Sequence, residues 1–344
     1  MRIRNTLRLG AAMLLVLAIL AGCSRRPSGL PEVPVDPAWA ELAAQAAKEY
    51  REEGWSCQVY LPEESYDPFG SYLNWEDCRQ ADFAESDSRH FDEDGCIMAR
   101  YGQGWVYNPV TTAQWALFLY GRWLAGDEPI DSFYQAARML ADMVEPDGAL
   151  RYDFGFTYYV DPQNPIQPGW VSAMAQGQAL SVFARAYHVS GEKLFAQAGA
   201  KVLDFLSVPI EDGGTRTTLA ALHPALASYV ILEEYPFTPP TYTLNGFQFT
   251  AMGLYDWSMA GADTSEQAGA LFSRCVDTLE VILPYFDLDD FTCYDLSHLT
   301  MDREQPHIGV NYHAYHTAFC RIFYQITGRE TFQTYYERWA DYVA

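Results

Sequence analysis

Three short polar segments of the chain set tyrosines beside carboxylates or histidines: Glu233-Glu-Tyr-Pro236, Cys293-Tyr-Asp-Leu-Ser-His298 and Asn311-Tyr-His313. Glu234, Tyr235, Tyr294 and Tyr312 are groups that can take a proton from a carbon acid or return one. A tyrosine, with a reference pKa of about 10, acts as a base only where positive charge lowers that value. No Gly-x-Ser-x-Gly elbow and no P-loop accompanies them. His313 and His316 lie three apart on a predicted helix, with His298 and His307 upstream. Metal ligation needs three or four converging donors, and no carboxylate stands at the matching helical spacing. His298 and His313 are therefore expected as hydrogen-bonding groups near a polar cavity, with no metal and no cofactor. The runs Phe91-Asp-Glu-Asp-Gly95 and Asp287-Leu-Asp-Asp290 lack the distal Glu of a calcium loop and read as solvated turns.

The elements that would position these residues come as pairs of apolar-periodic stretches: 109–125 with 130–145, 171–190 with 192–207, 245–260 with 264–284, and 311–327 with 329–343. Each inner connection carries a stop signal, as at Gly126-Asp-Glu-Pro129 and Ser190-Gly191. Four helical hairpins with aromatic-rich segments between them predict a mainly α fold, an (α/α) toroid occupying 108–344. Before it, 38–107 should hold one helix at 38–53 and a few β-hairpins, among them the segment Gly70-Ser-Tyr-Leu-Asn-Trp75 and a turn at Asp94-Gly95. The first helix of each pair opens on polar or aromatic residues. Tyr107, Trp170 and Gln178 belong to such openings and are candidates for substrate contact. If these helices line the inside, their N-termini converge on one mouth and present partial positive charge to an anion. Gly177 and Gly246, poor helix formers near two of these openings, admit either close helix packing or the approach of a flat sugar ring.

The N-terminus reads as a lipoprotein leader over 1–23. A basic flank precedes an apolar run from Leu9 to Ala21, too short to span a bilayer, and Leu20-Ala-Gly-Cys23 is a lipobox. Cys23 is thus the expected lipidation site, residues 24–37 a flexible stalk, and the location the outer face of a bacterial cell membrane, held through the lipid. The formal net charge of −23 becomes more negative once Arg2, Arg4 and Arg8 leave with the leader. Such a balance excludes a nucleic-acid partner and disfavours a highly sulfated polymer, unless a local basic cleft attracts it. Six further cysteines permit disulfides in an exported chain, but none shows CxxC spacing.

The string Gly169-Trp-Val-Ser-Ala-Met-Ala-Gln-Gly-Gln178 is followed in order by Glu233-Glu-Tyr-Pro236, Leu244-Asn-Gly-Phe247 and Gly253-Leu-Tyr-Asp256. Tyr294-Asp-Leu-x-His298, Tyr312-His313 and Arg338-Trp339 complete the series. In these blocks the chain resembles the C-terminal catalytic domain of D-glucuronyl C5-epimerases, over roughly residues 100 to 344. The resemblance implies interconversion of glucuronic and iduronic acid units in a heparosan- or heparan-like polysaccharide. It also implies a homodimer, and a site at Glu234, Tyr235, Asn245, Tyr294 and Tyr312. Such chemistry needs two acid/base groups on opposite faces of the ring and donors that neutralise the carboxylate. Tyr312 with either Tyr294 or Glu234 would form the opposed pair, and Asn245 and a neighbouring histidine would serve as donors.

Two departures stand out. Where animal members carry an arginine in Tyr-Asp-Leu-Arg-His, this chain has Ser297, so Arg100, Arg151 or Arg303 would have to replace it. The large β-domain preceding the catalytic domain in those enzymes is reduced here to about fifty residues. Two alternatives remain open from sequence. One is a polysaccharide lyase, which follows the same α-proton abstraction with loss of the C4 substituent. The other is a catalytically silent glycan-binding lipoprotein.

Overall fold

The computed structural model of the chain describes Val33 and residues 36–54, 65–301 and 303–344. The leader, Cys23, most of the expected stalk and Cys57 lie outside the described residues. The fold is mainly α. Helix α1 (Pro37–Glu53) starts at Asp36, whose side chain accepts the Ala38 N–H, and stops at Gly54 in the left-handed region. A short helix, α2 (Trp75–Cys78), follows. Four hairpins then run α3 (Pro109–Ala125) with α4 (Ile130–Asp142), α5 (Ala173–Ser190) with α6 (Lys193–Phe205), and α7 (Leu244–Met259) with α8 (Ser265–Phe286). The short α9 (Ser297–Thr300) precedes the last pair, α10 (Tyr312–Thr327) with α11 (Glu330–Asp341). Gly126, Gly191 and Gly328 cap α3, α5 and α10 at positive φ, where only glycine is unstrained.

Burial separates inner from outer helices. Every residue of α5 from Ala173 to Ala186 is buried, as is every residue of α7 from Leu244 to Leu254. Helix α4 instead buries one stripe, Phe133, Ala136, Ala137 and Leu140. A helix buried all round sits inside, and one with a single apolar stripe covers it. The inner helices touch in the order α3, α5, α7, α10. Residues 69–83 pack against α3 and α7. Phe83 packs on Trp115 and Phe118, Trp75 on Phe249, and the Tyr120 hydroxyl donates to the Phe69 carbonyl.

Ahead of α3 an antiparallel sheet has the order β1 (Arg89–Phe91), β2 (Ile97–Tyr101), β3 (Gly104–Val106), with Arg89 opposite Ala99 and Arg100 opposite Trp105. Gly95 makes the β1–β2 turn at φ 75°. Two-stranded ribbons pair β4 (Arg151–Tyr152) with β5 (Trp170–Val171), and β6 (Arg216–Thr218) with β7 (Val230–Leu232). Residues 70–75 depart from the hairpin expectation. Leu73 and Asn74 adopt φ of 55° and 52°, which breaks any strand and turns the chain into α2. Cys96, Cys275, Cys293 and Cys320 are free thiols. No helix among the described residues is long and apolar enough to cross a membrane.

Candidate active site

The N-terminal ends of α3, α5, α7 and α10 open on one cavity of about 480 Å³. Its lining includes Asn108, Thr111 and Gln114 from the start of α3, Trp170, Ser172 and Met174 around that of α5, Asn245 and Phe249 from α7, and Asn311, Tyr312 and Tyr315 from α10. Four helix N-termini thus direct partial positive charge toward one space.

Glu234 reaches this space because of the strand before it. Buried β7 runs into Glu233, whose N–H donates to the Thr215 carbonyl (2.8 Å) and whose carbonyl accepts the Ala173 N–H at the start of α5 (2.9 Å). Successive side chains on extended backbone point to opposite sides. The Glu233 carboxylate turns to the Tyr242 N–H, 3.2 Å from both oxygens, while Glu234 faces the cavity. Gly246 makes room for it, since a Cβ there would overlap the Glu234 carboxyl. Gly177 has a different role: its Cα face lies against the Thr250 backbone and permits the close α5–α7 crossing.

Burial pushes the Glu234 carboxyl up to about 7, a contact with Tyr235 opposing this and the Asp295 charge adding to it. Burial likewise pushes the Tyr312 hydroxyl up to about 12, reinforced by Glu234 and opposed by Tyr294 and the Arg79 charge. Tyr235 and Tyr294 are raised well above the ordinary tyrosine value, chiefly by burial and then by Glu234. The cavity therefore holds a carboxyl that changes protonation near neutrality and hydroxyls that keep their protons. Glu234 Oε2 and Asn245 Oδ1 are buried and accept no hydrogen bond from the protein. Buried acceptors left so cost roughly 1–3 kcal/mol each, which marks them as positions for a ligand's donors.

One wall is aromatic. Trp170 stacks on Tyr152 with centroids 3.8 Å apart, and Phe156 stacks on Tyr235 at 5.7 Å. Such faces suit the C–H face of a sugar ring. Tyr101, whose hydroxyl accepts from Asn108 Nδ2 (2.9 Å), continues the polar side of the lining.

Of the residues expected from sequence, Glu234, Tyr235, Asn245, Tyr312 and Trp170 line this cavity. Tyr294 stands behind Tyr312, ring centroids 4.6 Å apart, and is 5% exposed. The others are placed elsewhere. His313 is a core residue: Nδ1 meets the Thr292 hydroxyl and Nε2 the Trp339 carbonyl, both at 2.9 Å, and its ring stacks on Phe291. His298 lies edge-on to Trp39 of α1, buried, its value lowered by burial to about 4. Gln178 is wholly buried inside α5, one helical turn below the mouth. Tyr107 is exposed and donates to Asp92 (2.6 Å), and Arg100 is exposed with its guanidinium over Trp105. None of the three arginines expected to stand in for the family arginine at Ser297 lines the cavity: Arg100 lies over Trp105, Arg151 pairs with Glu145 and Asp147, and Arg303 donates to the Val160 carbonyl. No group of three or more His, Cys, Asp or Glu that could hold a metal occurs among the described residues.

Sequence reasoning missed the cavity's cations, Arg79 and Arg89, and also Tyr101, Asn108 and Tyr152. Asn108 carried a signal. It is the N-cap of α3, its Oδ1 accepting the Thr111 N–H ahead of Pro109, and a polar cap before proline at N1 points into whatever the helix N-terminus faces.

A family model described as the D-glucuronyl C5-epimerase C-terminus matches residues 145–341, more than half of the chain. A D-glucuronyl C5-epimerase of Caenorhabditis elegans is 31% identical over 187 residues, which cover 52% of this chain and 29% of the relative. The matched region includes Glu234, Tyr235, Asn245, Tyr294 and Tyr312, whereas Arg79, Arg89, Tyr101 and Asn108 precede it. In the ordered helical hairpins and in the residues that converge at their mouth, the chain belongs to the D-glucuronyl C5-epimerase C-terminal family.

Proposed function

We propose that the protein is a uronyl C5-epimerase, interconverting D-glucuronic and L-iduronic acid residues within a heparosan-like glycan. The observation that carries this is the pairing of Glu234, with a value of about 7, and Tyr312, at about 12, in one aromatic-walled cavity. The C5 proton is α to a carboxylate, so its removal leaves an enolate-like dianion unless donors and positive charge receive it. An acid/base group with a value near the working pH is the effective one to move that proton. Glu234 fits the base; Tyr312, which keeps its proton, fits the donor returning one from the opposite face, with Tyr294 packed behind it. The Asn245 amide N–H and the converging helix N-termini are the donors to the developing charge, while the Asn245 oxygen accepts from a sugar hydroxyl. The forward step leaves Glu234 protonated and Tyr312 as phenolate. The reverse step starts from that state, Tyr312 taking the proton and Glu234 returning one, and proton exchange with water restores the resting pair.

The test is product analysis after incubation with heparosan in D₂O. Iduronate carrying deuterium at C5 supports the proposal. An unsaturated uronate, seen by its ultraviolet absorbance, would assign the same proton abstraction to a lyase. Binding with neither product would leave a glycan-binding protein. With the lipobox reading of Cys23, the proposed setting is the outer face of a bacterial membrane, where a tethered enzyme meets finished or imported chains. A homodimer belongs to this proposal on the family resemblance alone.

A further inference from the structure

We propose that Arg89, on edge strand β1, is the group that receives the substrate carboxylate. This rests on the uronate reading of the cavity. A uronate entering a low-dielectric space needs a cation or several donors, or its desolvation opposes binding. The described lining residues include two guanidinium groups, Arg79 and Arg89.

Arg79 is already engaged. Its Nε donates to Asp82 (2.9 Å), and its guanidinium lies over Trp75 and Phe83, 4.5 and 5.3 Å from their centroids. It also sits near enough to Tyr312 and Tyr315 to lower both hydroxyls against the effect of burial. Its place is beside the proton donor, held by its own carboxylate. Arg89 is arranged otherwise. One Nη donates to the Ser88 carbonyl (2.9 Å), while its Nε is buried with no hydrogen-bond partner. A buried donor left unmet costs about as much as an unmet acceptor, so this N–H calls for an anion or carbonyl from a ligand. The Arg89 charge also lowers the Tyr101 hydroxyl, which Glu234 raises, so Arg89 and Glu234 both act on the Tyr101 position. Arg89, Tyr101 and Glu234 line the same cavity, so a carboxylate taken by Arg89 lies in the space that Glu234 faces. The β1–β3 sheet, outside the family match, thus supplies a cation to the cavity at the mouth of the helical domain.

The test compares binding of an unsulfated glucuronate–N-acetylglucosamine octasaccharide with that of its carboxyl-reduced form, in which glucose replaces glucuronate. Wild type, Arg89→Met and Arg89→Gln are compared by calorimetry. Wild type should prefer the acid at least tenfold. Both variants should lose that preference while binding the reduced octasaccharide as wild type does. Either folded variant is sufficient, because the ratio within one protein is the readout. A wild type that binds both alike, or variants that keep the preference, would overturn the assignment. Absence of C5 exchange on any uronate glycan would sink the epimerase reading separately, since the binding ratio does not depend on turnover.

Discussion

Gly246 lies against the carboxyl group of Glu234, so closely that a methyl group on its Cα would occupy the space the carboxyl fills. The glycine at the start of α7 and the acid after β7 thus form one unit. Gly246→Ala meets both the carboxyl and the Cβ of Glu234, so the side chain must turn and its backbone must shift, lowering C5 exchange by at least tenfold at a cost of about 1–3 kcal/mol. Gly177→Ala meets the Thr250 backbone, which cannot rotate away. It should cost more stability than Gly246→Ala, and urea denaturation of both variants checks the order.

Glu234→Gln separates stability from activity. A carboxyl whose value rises from its ordinary 4.5 to about 7 on folding loses folded-state stability as pH increases through that range. Wild type carries the full cost above pH 7, roughly 3 kcal/mol at most, and none below its unfolded value. Glu234→Gln should therefore be more stable than wild type at pH 8, about equal at pH 4.5, and inactive at both. Thermal unfolding at the two pH values decides it. A variant no more stable at pH 8 than wild type would contradict the buried-carboxyl account.

Much of this unit could be read from the sequence, and the reasons differ by residue. Helix ends were legible because Gly126, Gly191 and Gly328 stop their helices by a local mechanism. Glu234, Tyr235, Asn245 and Tyr312 were legible because each stands at a polar opening that interrupts an apolar run. Arg79 and Arg89 were not. They come from elements too short for periodicity to fix which side chains turn inward: Arg79 ends the short α2, and Arg89 opens the three-residue β1. His313 stands away from the cavity because its face of α10 meets Phe291, Thr292 and Trp339. At helical spacing, one residue from Tyr312 is enough to change sides.

The buried histidines give the opposite pH sign to Glu234. Burial lowers His313 from 6.5 to about 4 and holds His316 well below the ordinary histidine value, each bonded to Thr292 through Nδ1. Their contribution is present above pH 6.5 and lost as pH falls through about 4. His313→Gln should flatten the decline in urea midpoint between pH 6.5 and 4, even if its stability at pH 7 is lower. An unchanged slope would show that His313 does not titrate with unfolding.

At the other end of the inner helices, Arg185 and Asp256 form a fully buried pair at 2.7 Å, with the Tyr66 hydroxyl on both Asp256 oxygens. Arg185→Met leaves the aspartate without its cation and should cost about 3–5 kcal/mol. The double variant Arg185→Met/Asp256→Leu should recover most of that loss. Urea unfolding of the two variants tests whether the pair contributes by attraction or only by mutual neutralisation.

The central claim is that Glu234 and Tyr312 move the C5 proton of a uronate. Deuterium incorporation at C5 from D₂O, followed by NMR on heparosan with wild type, Glu234→Gln and Tyr312→Phe, tests it most directly. The account predicts exchange by wild type and a loss of at least a hundredfold in each variant, with glycan binding retained. Exchange at wild-type rate in both variants, or a wild type that binds heparosan and exchanges nothing, would contradict it.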